Sequence, residues 1–573
     1  MLSYTPNETS PRLRGLLFLL LICCLPAARA GTAAVAMPDH YSAAVAQQVI
    51  DQGGNAVDAA VAAAFVLAVT YPEAGNIGGG GFMLSHMGGE AAFLDFRERA
   101  PLAASRDMYL DDAGNFLQHK ALTGGLASGV PGTVGGLWEA HKRYGSLPWP
   151  QLIQPAVALA SEGFLVDSAL AAMAREKIAE TAGQTNFAEY FAGLAERRTF
   201  AQPALARTLQ RIAADPRDFY TGGIARQIVA QSQASGGIIS ARDLADYRAV
   251  WRTPLQYYWL GFQVLTAPPP SSGGVALLQL LGITDFAGAS FRDIPHNSPT
   301  YIHLLAEIEK RVFADRAEYL GDADFVDVPL GQLLDPRYLL GRSQSLNPAA
   351  ISGAADTLPG LESYQTTHFS ILDPAGNAVA LTYTLNWEFG SGVVVSGAGF
   401  LLNNEMDDFS ARAGTPNKFG VVGSDRNAIA PGKRMLSSMT PTILLENGDA
   451  ALVIGTPGGS TIFTSIFQVI LNLYEHRMPL QQAVDATRFH HQLPDATLIR
   501  HDQRTVAAQT ITGLRALGYT VEANSWGNLG DIQAIQRTAT GIQAAADMRG
   551  RGVARVFDTA APGLGKEKKS SVR

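Results

Sequence analysis

The sequence predicts an α+β protein, and three features of the chain predict it. The first half alternates apolar segments of helical period with glycine-rich turns. A stretch rich in Ser, Pro, Gly and Ala, 343–365, then breaks the pattern, and strand-like alternation begins directly after it. Finally, a short buried strand at 451–454 passes through Gly455-Thr456-Pro457-Gly458-Gly459-Ser460 into a helical segment starting near Thr461.

The chain has 573 residues, 47% of them hydrophobic, which is enough for a large core and for more than one ordinary domain. Only 17% of residues are charged and the net charge is -7, so nucleic acid is excluded as a partner, because phosphate binding needs clustered Lys and Arg. The basic run Lys566 to Lys569 reads as a solvated terminus.

At the other end, Arg12 and Arg14 precede an apolar run from Leu16 to Leu25, and Ala28-Arg29-Ala30 follows. A basic start, a short apolar stretch and an A-x-A site describe a cleavable secretory signal over 1–30, with an uncleaved anchor as the alternative. The run falls short of the ~20 residues that span a bilayer. Both cysteines, Cys23 and Cys24, lie inside this segment, as does the Asn7-Glu8-Thr9 acceptor pattern. An exported chain with neither disulfides nor glycan sites fits a bacterial periplasm.

Ala46, Val49 and Ile50 recur at helical spacing and Gly53-Gly54 ends that helix. Asn55 can cap the next one, with Asp58 at the reciprocal position. Residues Ala56 to Thr70 are almost all apolar, which predicts a helix buried on most sides. Gly78 to Gly81 precede a short strand, Phe82 to His86, so this cluster is not a dinucleotide loop, which would open a helix. Tyr301 to Leu320 reads as a long helix whose Glu307, Glu309, Lys310, Arg311, Asp315 and Arg316 form a solvated, ion-paired face.

Past the linker, Thr366 to Asp373 alternates with Phe369 and Ile371 on one face. Pro374-Ala375-Gly376-Asn377 is a turn signal and Ala378 to Thr384 a second strand. A two-residue loop at Ala375-Gly376 sets Thr384 opposite Thr367 and Leu385 opposite Thr366. Threonines meeting there serve either as a structural cross-strand pair or as part of a site. The glycine turn before Thr461 is open in the same way. Its backbone N–H groups can receive an anion or a developing oxyanion, or the turn is simply a bend. The Gly-Lys-Ser/Thr ending of a phosphate loop is absent. His368 and the pair His490-His491 have no third partner at metal-ligand spacing, so no metal is expected.

The run Thr366-Thr367-His368-Phe369-Ser370 followed by Thr382-Tyr383-Thr384-Leu385-Asn386 resembles the gamma-glutamyltransferases. So do Asn403-Asn404-Glu405-Met406-Asp407-Asp408, Leu436-Ser437-Ser438-Met439 and Pro457-Gly458-Gly459-Ser460. In the first half Gly53 to Asp58, Asp95-Phe96-Arg97-Glu98 and Pro268 to Gly274 are similar too, in the same order.

The resemblance implies a four-layer αββα sandwich of the N-terminal-nucleophile hydrolase type. It also implies self-cleavage between Gln365 and Thr366, giving a large subunit, 31–365, and a small catalytic subunit, 366–573, that stay together as a heterodimer. Thr366 is then the nucleophile and Thr384 its supporting neighbour, with Gly458 and Gly459 as the oxyanion hole. Arg97, Ser437 and Ser438 are expected to hold the substrate's α-carboxylate, and Asn386, Glu405 and Asp408 its α-ammonium. Some bacterial relatives carry Gln at the position of Glu405. Glutathione and other γ-glutamyl compounds are the implied donors, water and amino acids or dipeptides the acceptors, and no cofactor is needed.

One departure lies in the long polar loop from Ala411 to Met435. Phe419 stands there in place of an aromatic hydroxyl that closes a substrate lid. Two other readings remain: a cephalosporin (glutaryl) acylase, which need not keep the amine clamp of Glu405 and Asp408, and a self-cleaved binding protein without catalysis.

Overall fold

The computed structural model describes residues 31–287, 291–353, 365–412, 424–525 and 527–559. The signal segment with Cys23 and Cys24, residues 354–364 of the linker, the lid position Phe419 and the tail Lys566–Lys569 lie outside the described residues. Among the described residues, no helix is long and apolar enough to cross a membrane.

Two sheets face each other. The first has seven strands in the order Val553–Thr559, Gly31–Met37, Gln365–Leu372, Ala378–Asn386, Gly80–Met87, Glu90–Asp95, Val250–Arg252. The second has six, in the order Gly541–Ala546, Gln533–Thr538, Asp449–Gly455, Thr442–Glu446, Phe262–Thr266, Leu255–Trp259. The period-2 rule sorts the side chains between layers. Val35, Phe369, Ile371, Val379 and Leu381 point to an outer helical layer that includes Ala56–Thr70. Ala34, Ala36, Phe82, Leu84, Ala378 and Ala380 point to the second sheet. Helices Gly273–Phe286, Pro299–Tyr319 and Thr461–Tyr474 cover the far side of that sheet. The result is the four-layer αββα sandwich.

Helix Ala56–Thr70 is buried along its whole length and opens on the expected capping box, with Asn55 accepting from Val57 and Asp58 amides and Asp58 reaching back to the Asn55 amide. Helix Pro299–Tyr319 corrects an expectation. Its Glu307, Glu309, Lys310, Arg311, Asp315 and Arg316 are all buried rather than solvated. Four of them are closed into pairs: Lys310 Nζ and Arg311 NH1 donate to Glu307 at 2.8 and 2.9 Å, and Arg342 pairs with Asp315. Surface patterning cannot separate such a face from a solvated one, because i,i+3 and i,i+4 pairs satisfy either environment. The described start of the linker is also less loose than its composition suggests. A helix runs to Gln344, and Lys310 Nζ donates to the Ser352 carbonyl at 2.9 Å.

Candidate active site

The hairpin 365–386 differs from the expected two-residue form. Asp373 closes on Asn377, leaving the three-residue loop Pro374-Ala375-Gly376, with Gly376 at φ +85. The Asp373 carboxylate explains the extra residue. It accepts from the Ala375 and Asn377 amides at 2.9 and 3.0 Å and from the Ala56 amide at 3.1 Å, tying the tip to the start of helix Ala56–Thr70. The register moves by one residue in consequence: Tyr383, not Thr384, stands opposite Thr367. Beyond that pair the ladder breaks, and the next partners are Gln365 and Asn386. Thr366 on one strand therefore faces the two residues Thr384 and Leu385 on the other, which is a β-bulge, a device that re-aims side chains beside active sites. Asn386 ends the bulge at φ +78. The Asn386 amide donates to Thr384 Oγ1 at 2.7 Å, and Asn76 Nδ2 donates to the Thr384 carbonyl at 2.8 Å.

The second sheet brings in the glycine turn. Strand Asp449–Gly455 leads through Gly458 (φ +132) and Gly459 (φ +55) into helix Thr461–Tyr474. The Gly458 carbonyl accepts from the Thr461 amide at 3.0 Å and from Thr461 Oγ1 at 2.8 Å, and the Gly459 carbonyl accepts from Ile462. With those carbonyls turned into the helix, trans peptides direct the following N–H groups the other way. A Cβ on Gly458 would lie 2.5 Å from Thr461 Oγ1, so only glycine fits this backbone. Thr456 Oγ1 accepts from the Asp531 amide at 2.7 Å, so the segment around Gly530 braces the turn.

The charged side is assembled from turns. Arg97, 1% exposed, donates to Glu405, to Asp408 Oδ2 at 2.5 Å and to the Leu436 carbonyl at 3.3 Å, while Glu98 Oε2 lies 3.6 Å away. Burial works against the Arg97 charge, but Glu405, Asp408 and Glu98 outweigh it and hold the guanidinium above its ordinary range. For the carboxylates burial dominates. It raises Glu405 well above the usual range, raises Asp408, and pushes Glu98 to about 7, with Arg97 opposing all three shifts.

The acidic turn Glu405–Asp408 is fixed by its two preceding asparagines. Asn403 accepts from the Gly129 and Glu405 amides and donates to the Gly78 and Gly129 carbonyls. The Asn404 carbonyl accepts from Asn386 Nδ2 at 3.0 Å. Asn427 joins the two arms of the site, donating to the Asp408 carbonyl at 2.7 Å and accepting from the Leu436 amide at 3.0 Å.

Thr366, Thr384, Asn386 and Gly459 line one small cavity together with Arg97, Glu405, Asp408, Ser437 and Ser438. Met439 and Ile462 complete its wall, and Gly458 precedes Gly459 in the chain without lining the cavity itself. The three histidines flagged in the sequence are engaged elsewhere. His368 contacts Thr382 Oγ1 and Ser370 Oγ, His490 contacts Thr464 Oγ1 and Gln492, and His491 contacts the Leu498 carbonyl. Burial depresses His368 and His490 to about 3, which keeps them neutral. Asn76, Asn427, Ser271 and Ser272 escaped the sequence reading as site residues. The serines belong to a motif that was recognised, but nothing in a sequence shows which backbone they hold.

The gamma-glutamyltranspeptidase family model matches residues 42–557. The chain is similar to the glutathione hydrolase proenzyme of Pseudomonas aeruginosa, 57% identical over 522 residues, 91% of this chain and 94% of the relative. Among solved structures it is similar to a cephalosporin acylase from Bacillus halodurans, with 26% identity and a TM-score of 0.82 over 97% of this chain and 99% of the other. It is also similar to a gamma-glutamyltranspeptidase from Pseudomonas nitroreducens complexed with L-DON, with 52% identity and a TM-score of 0.55. That solved chain is covered to 96%, yet spans only 56% of the present one.

Proposed function

Because the chain belongs to the gamma-glutamyltranspeptidase family, we propose that Thr366 is its nucleophile and that the cavity it lines receives a γ-glutamyl group. The protein is a gamma-glutamyltransferase and glutathione hydrolase, made as a proenzyme. One observation supports the residue assignment above others: a single small cavity joins the bulged Thr366 to a buried guanidinium flanked by carboxylates.

Processing begins when Thr366 Oγ attacks the Gln365 carbonyl carbon. The acyl group moves from nitrogen to oxygen, and water hydrolyses the ester, leaving a carboxylate on Gln365 and a free α-amine on Thr366. The chain then consists of 31–365 and 366–573, held together by strand pairing such as that of Gln365–Leu372 with Gly31–Met37. The limited span of the P. nitroreducens chain supports a division of this kind. An α-amine has a pKa of about 7.7–8.0, so it is partly neutral at physiological pH and can take the proton of its own hydroxyl.

The donor is a zwitterion at its far end. Its α-carboxylate pairs with Arg97 and accepts from Ser437 and Ser438, a task suited to the planar guanidinium fork. Its α-ammonium lies with Glu405, Asp408 and Asn386, where its charge favours the ionised form of two carboxylates that burial raises. Thr366 Oγ attacks the γ-amide carbon, and the oxyanion is received by the Gly458–Gly459 turn. The C–N bond breaks, the leaving amine takes the proton, and water or an acceptor amine resolves the ester. The basic and apolar start of the chain supports export to the periplasm.

The test is release of p-nitroaniline from γ-glutamyl-p-nitroanilide, with and without glycylglycine. Acceleration by glycylglycine in the wild type and silence in Thr366→Ala are expected. Turnover that persists in Thr366→Ala would refute the nucleophile. The likeness to a cephalosporin acylase favours one second reading, a glutaryl donor. Glutaryl-p-nitroanilide lacks the ammonium that Glu405 and Asp408 await, and comparable turnover of it would favour that reading.

A further inference from the structure

The donor site has a second buried cation. Arg316 projects from helix Pro299–Tyr319, in the outer layer behind the six-stranded sheet, and is 3% exposed. Its Nε donates to Ser272 Oγ at 3.0 Å. Ser272 Oγ has one hydrogen and spends it on the Ser437 carbonyl at 2.7 Å, which also accepts from the Ser272 amide at 2.6 Å. A continuous relay therefore runs from a guanidinium through a hydroxyl to one carbonyl on the cavity wall.

What that carbonyl controls is the serine arm. The Ser272 hydroxyl and amide, with Ser271 Oγ more distant at 3.4 Å, fix the plane of the Ser437–Ser438 peptide, and a trans peptide sets the Ser438 N–H on the opposite side. Ser437 Oγ accepts from the Met439 amide at 3.1 Å, which leaves its hydrogen to donate. Ser438 Oγ is buried, lines the cavity and has no hydrogen-bond partner among the described residues. Both hydroxyls are thus set to donate to an anion, in a direction determined by the backbone beneath them.

We infer that Arg316 is a positioning residue for the donor: acting through Ser272, it aligns Ser437 and Ser438 on the α-carboxylate of the γ-glutamyl group. This rests on the donor-site reading above. A hydrogen bond donated by a charged group is stronger than a neutral one, and it polarises the next donor in the chain. The positive charge also acts on Asp408, whose charge opposes the burial that brings Arg316 down to about 9. A buried ion is costly, and an apolar residue of similar volume is commonly as stable or more so.

The experiment compares two anilides that differ only in the α-carboxylate: γ-glutamyl-p-nitroanilide and 4-aminobutyryl-p-nitroanilide. Wild type, Arg316→Met, Arg316→Lys, Ser272→Ala and Arg97→Ala are measured after self-cleavage has been checked on denaturing gels. Arg316→Met is expected to raise KM for the γ-glutamyl donor roughly 10- to 100-fold, the size of a lost charge-assisted hydrogen bond, with kcat changed less than about threefold. On the 4-aminobutyryl donor the same variant should change kcat/KM less than about threefold. Arg316→Lys should recover part of the KM, and Ser272→Ala should raise it by about three- to tenfold. An unchanged KM in Arg316→Met, or equal losses on both donors, overturns the inference. If Arg316→Met does not fold or cleave, Ser272→Ala decides alone by the same criterion. Arg97→Ala separates the two levels. Should Arg97→Ala lose far more on the γ-glutamyl than on the 4-aminobutyryl donor while Arg316→Met loses equally on both, the relay is wrong; should Arg97→Ala lose equally on both, the donor-site reading fails and the relay with it.

Discussion

Thr366, Thr384 and Gly459 reach the cavity from the two sheets, and they bring hydroxyls and backbone amides without a charged side chain among them. Arg97, Glu405 and Asp408 reach it from turns, and they concentrate ionisable groups with almost no exposure. The nucleophile side depends on backbone shape: a bulge at Thr366 and positive φ at Gly458 and Gly459. The recognition side depends on charge balance, and its groups are held in place by asparagines whose hydrogen bonds go to carbonyls and amides. On the proposed assignment self-cleavage needs only the first side, since its substrate is the chain itself. Turnover of a free donor needs both.

The largest expected effect follows from that division. Thr366→Ala should leave one uncut chain and lower turnover on the order of 10⁴-fold or more, as removal of a nucleophile does. The uncut wild-type chain and its two products are read on a denaturing gel, and the smaller product should begin Thr-Thr-His-Phe-Ser. Arg97→Ala should cut fully and still fail on the donor. Loss of one partner in a desolvated charge pair costs about 2–5 kcal/mol, or roughly 30- to 5,000-fold in kcat/KM. A variant at Arg97 that blocks cleavage as thoroughly as Thr366→Ala would erase the distinction between the sides.

The two sides also differed in how far the sequence disclosed them. The hairpin strands, the capped helix after Asn55 and the glycine turn were legible, because period-2 alternation, caps and turn residues are local signals. The bulge was not. The register shift that precedes it goes with a three-residue loop whose Asp373 carboxylate reaches the Ala56 amide, 317 positions away. Recognition residues could be named only through whole motifs, since a lone Arg or Glu in a loop is ordinarily solvated. The helix Pro299–Tyr319 shows the same limit. Its charges carry the spacing of a surface face, yet they are buried, and Arg316 becomes intelligible only once Ser272 is seen beside it. Helix Ala56–Thr70, equally buried, is legible because apolar residues leave burial as the sole option.

A backbone substitution probes the neutral side in isolation. Gly458→Ala places a Cβ 2.5 Å from Thr461 Oγ1 at a φ of +132 that L-residues avoid, so the turn must shift. Displacing an oxyanion donor lowers kcat by about 10²–10³-fold, while KM for γ-glutamyl-p-nitroanilide should stay within about threefold, because no charged contact is touched. A large rise in KM with kcat retained would mean that this turn contributes to donor recognition rather than to the reacting centre.

The smallest effect tests whether the nucleophile side is truly free of charge. Asp531 braces it through the amide that donates to Thr456, and its carboxyl is buried among Asp547, Arg488 and Arg549. Burial, followed by the Asp547 charge, raises Asp531 from an ordinary 3.8 to about 8, against the pull of the arginines. Between those two values the folded chain keeps a proton that the unfolded chain releases. The corresponding stability is therefore complete below about pH 4 and drains away as pH rises through about 8. Asp531→Asn is neutral at every pH, and its amide oxygen can still accept from Gln533 Nε2, which donates to Asp531 Oδ1 at 3.1 Å. The unfolding midpoint of the self-cleaved protein should fall between pH 5 and pH 8 by about 2–4 °C less in this variant than in the wild type. Activity at pH 5 should be close to unchanged, because the wild-type residue is already uncharged there. Equal falls in both proteins would place an ionised carboxylate behind the glycine turn, and the contrast between a neutral and a charged side of the cavity would then no longer hold.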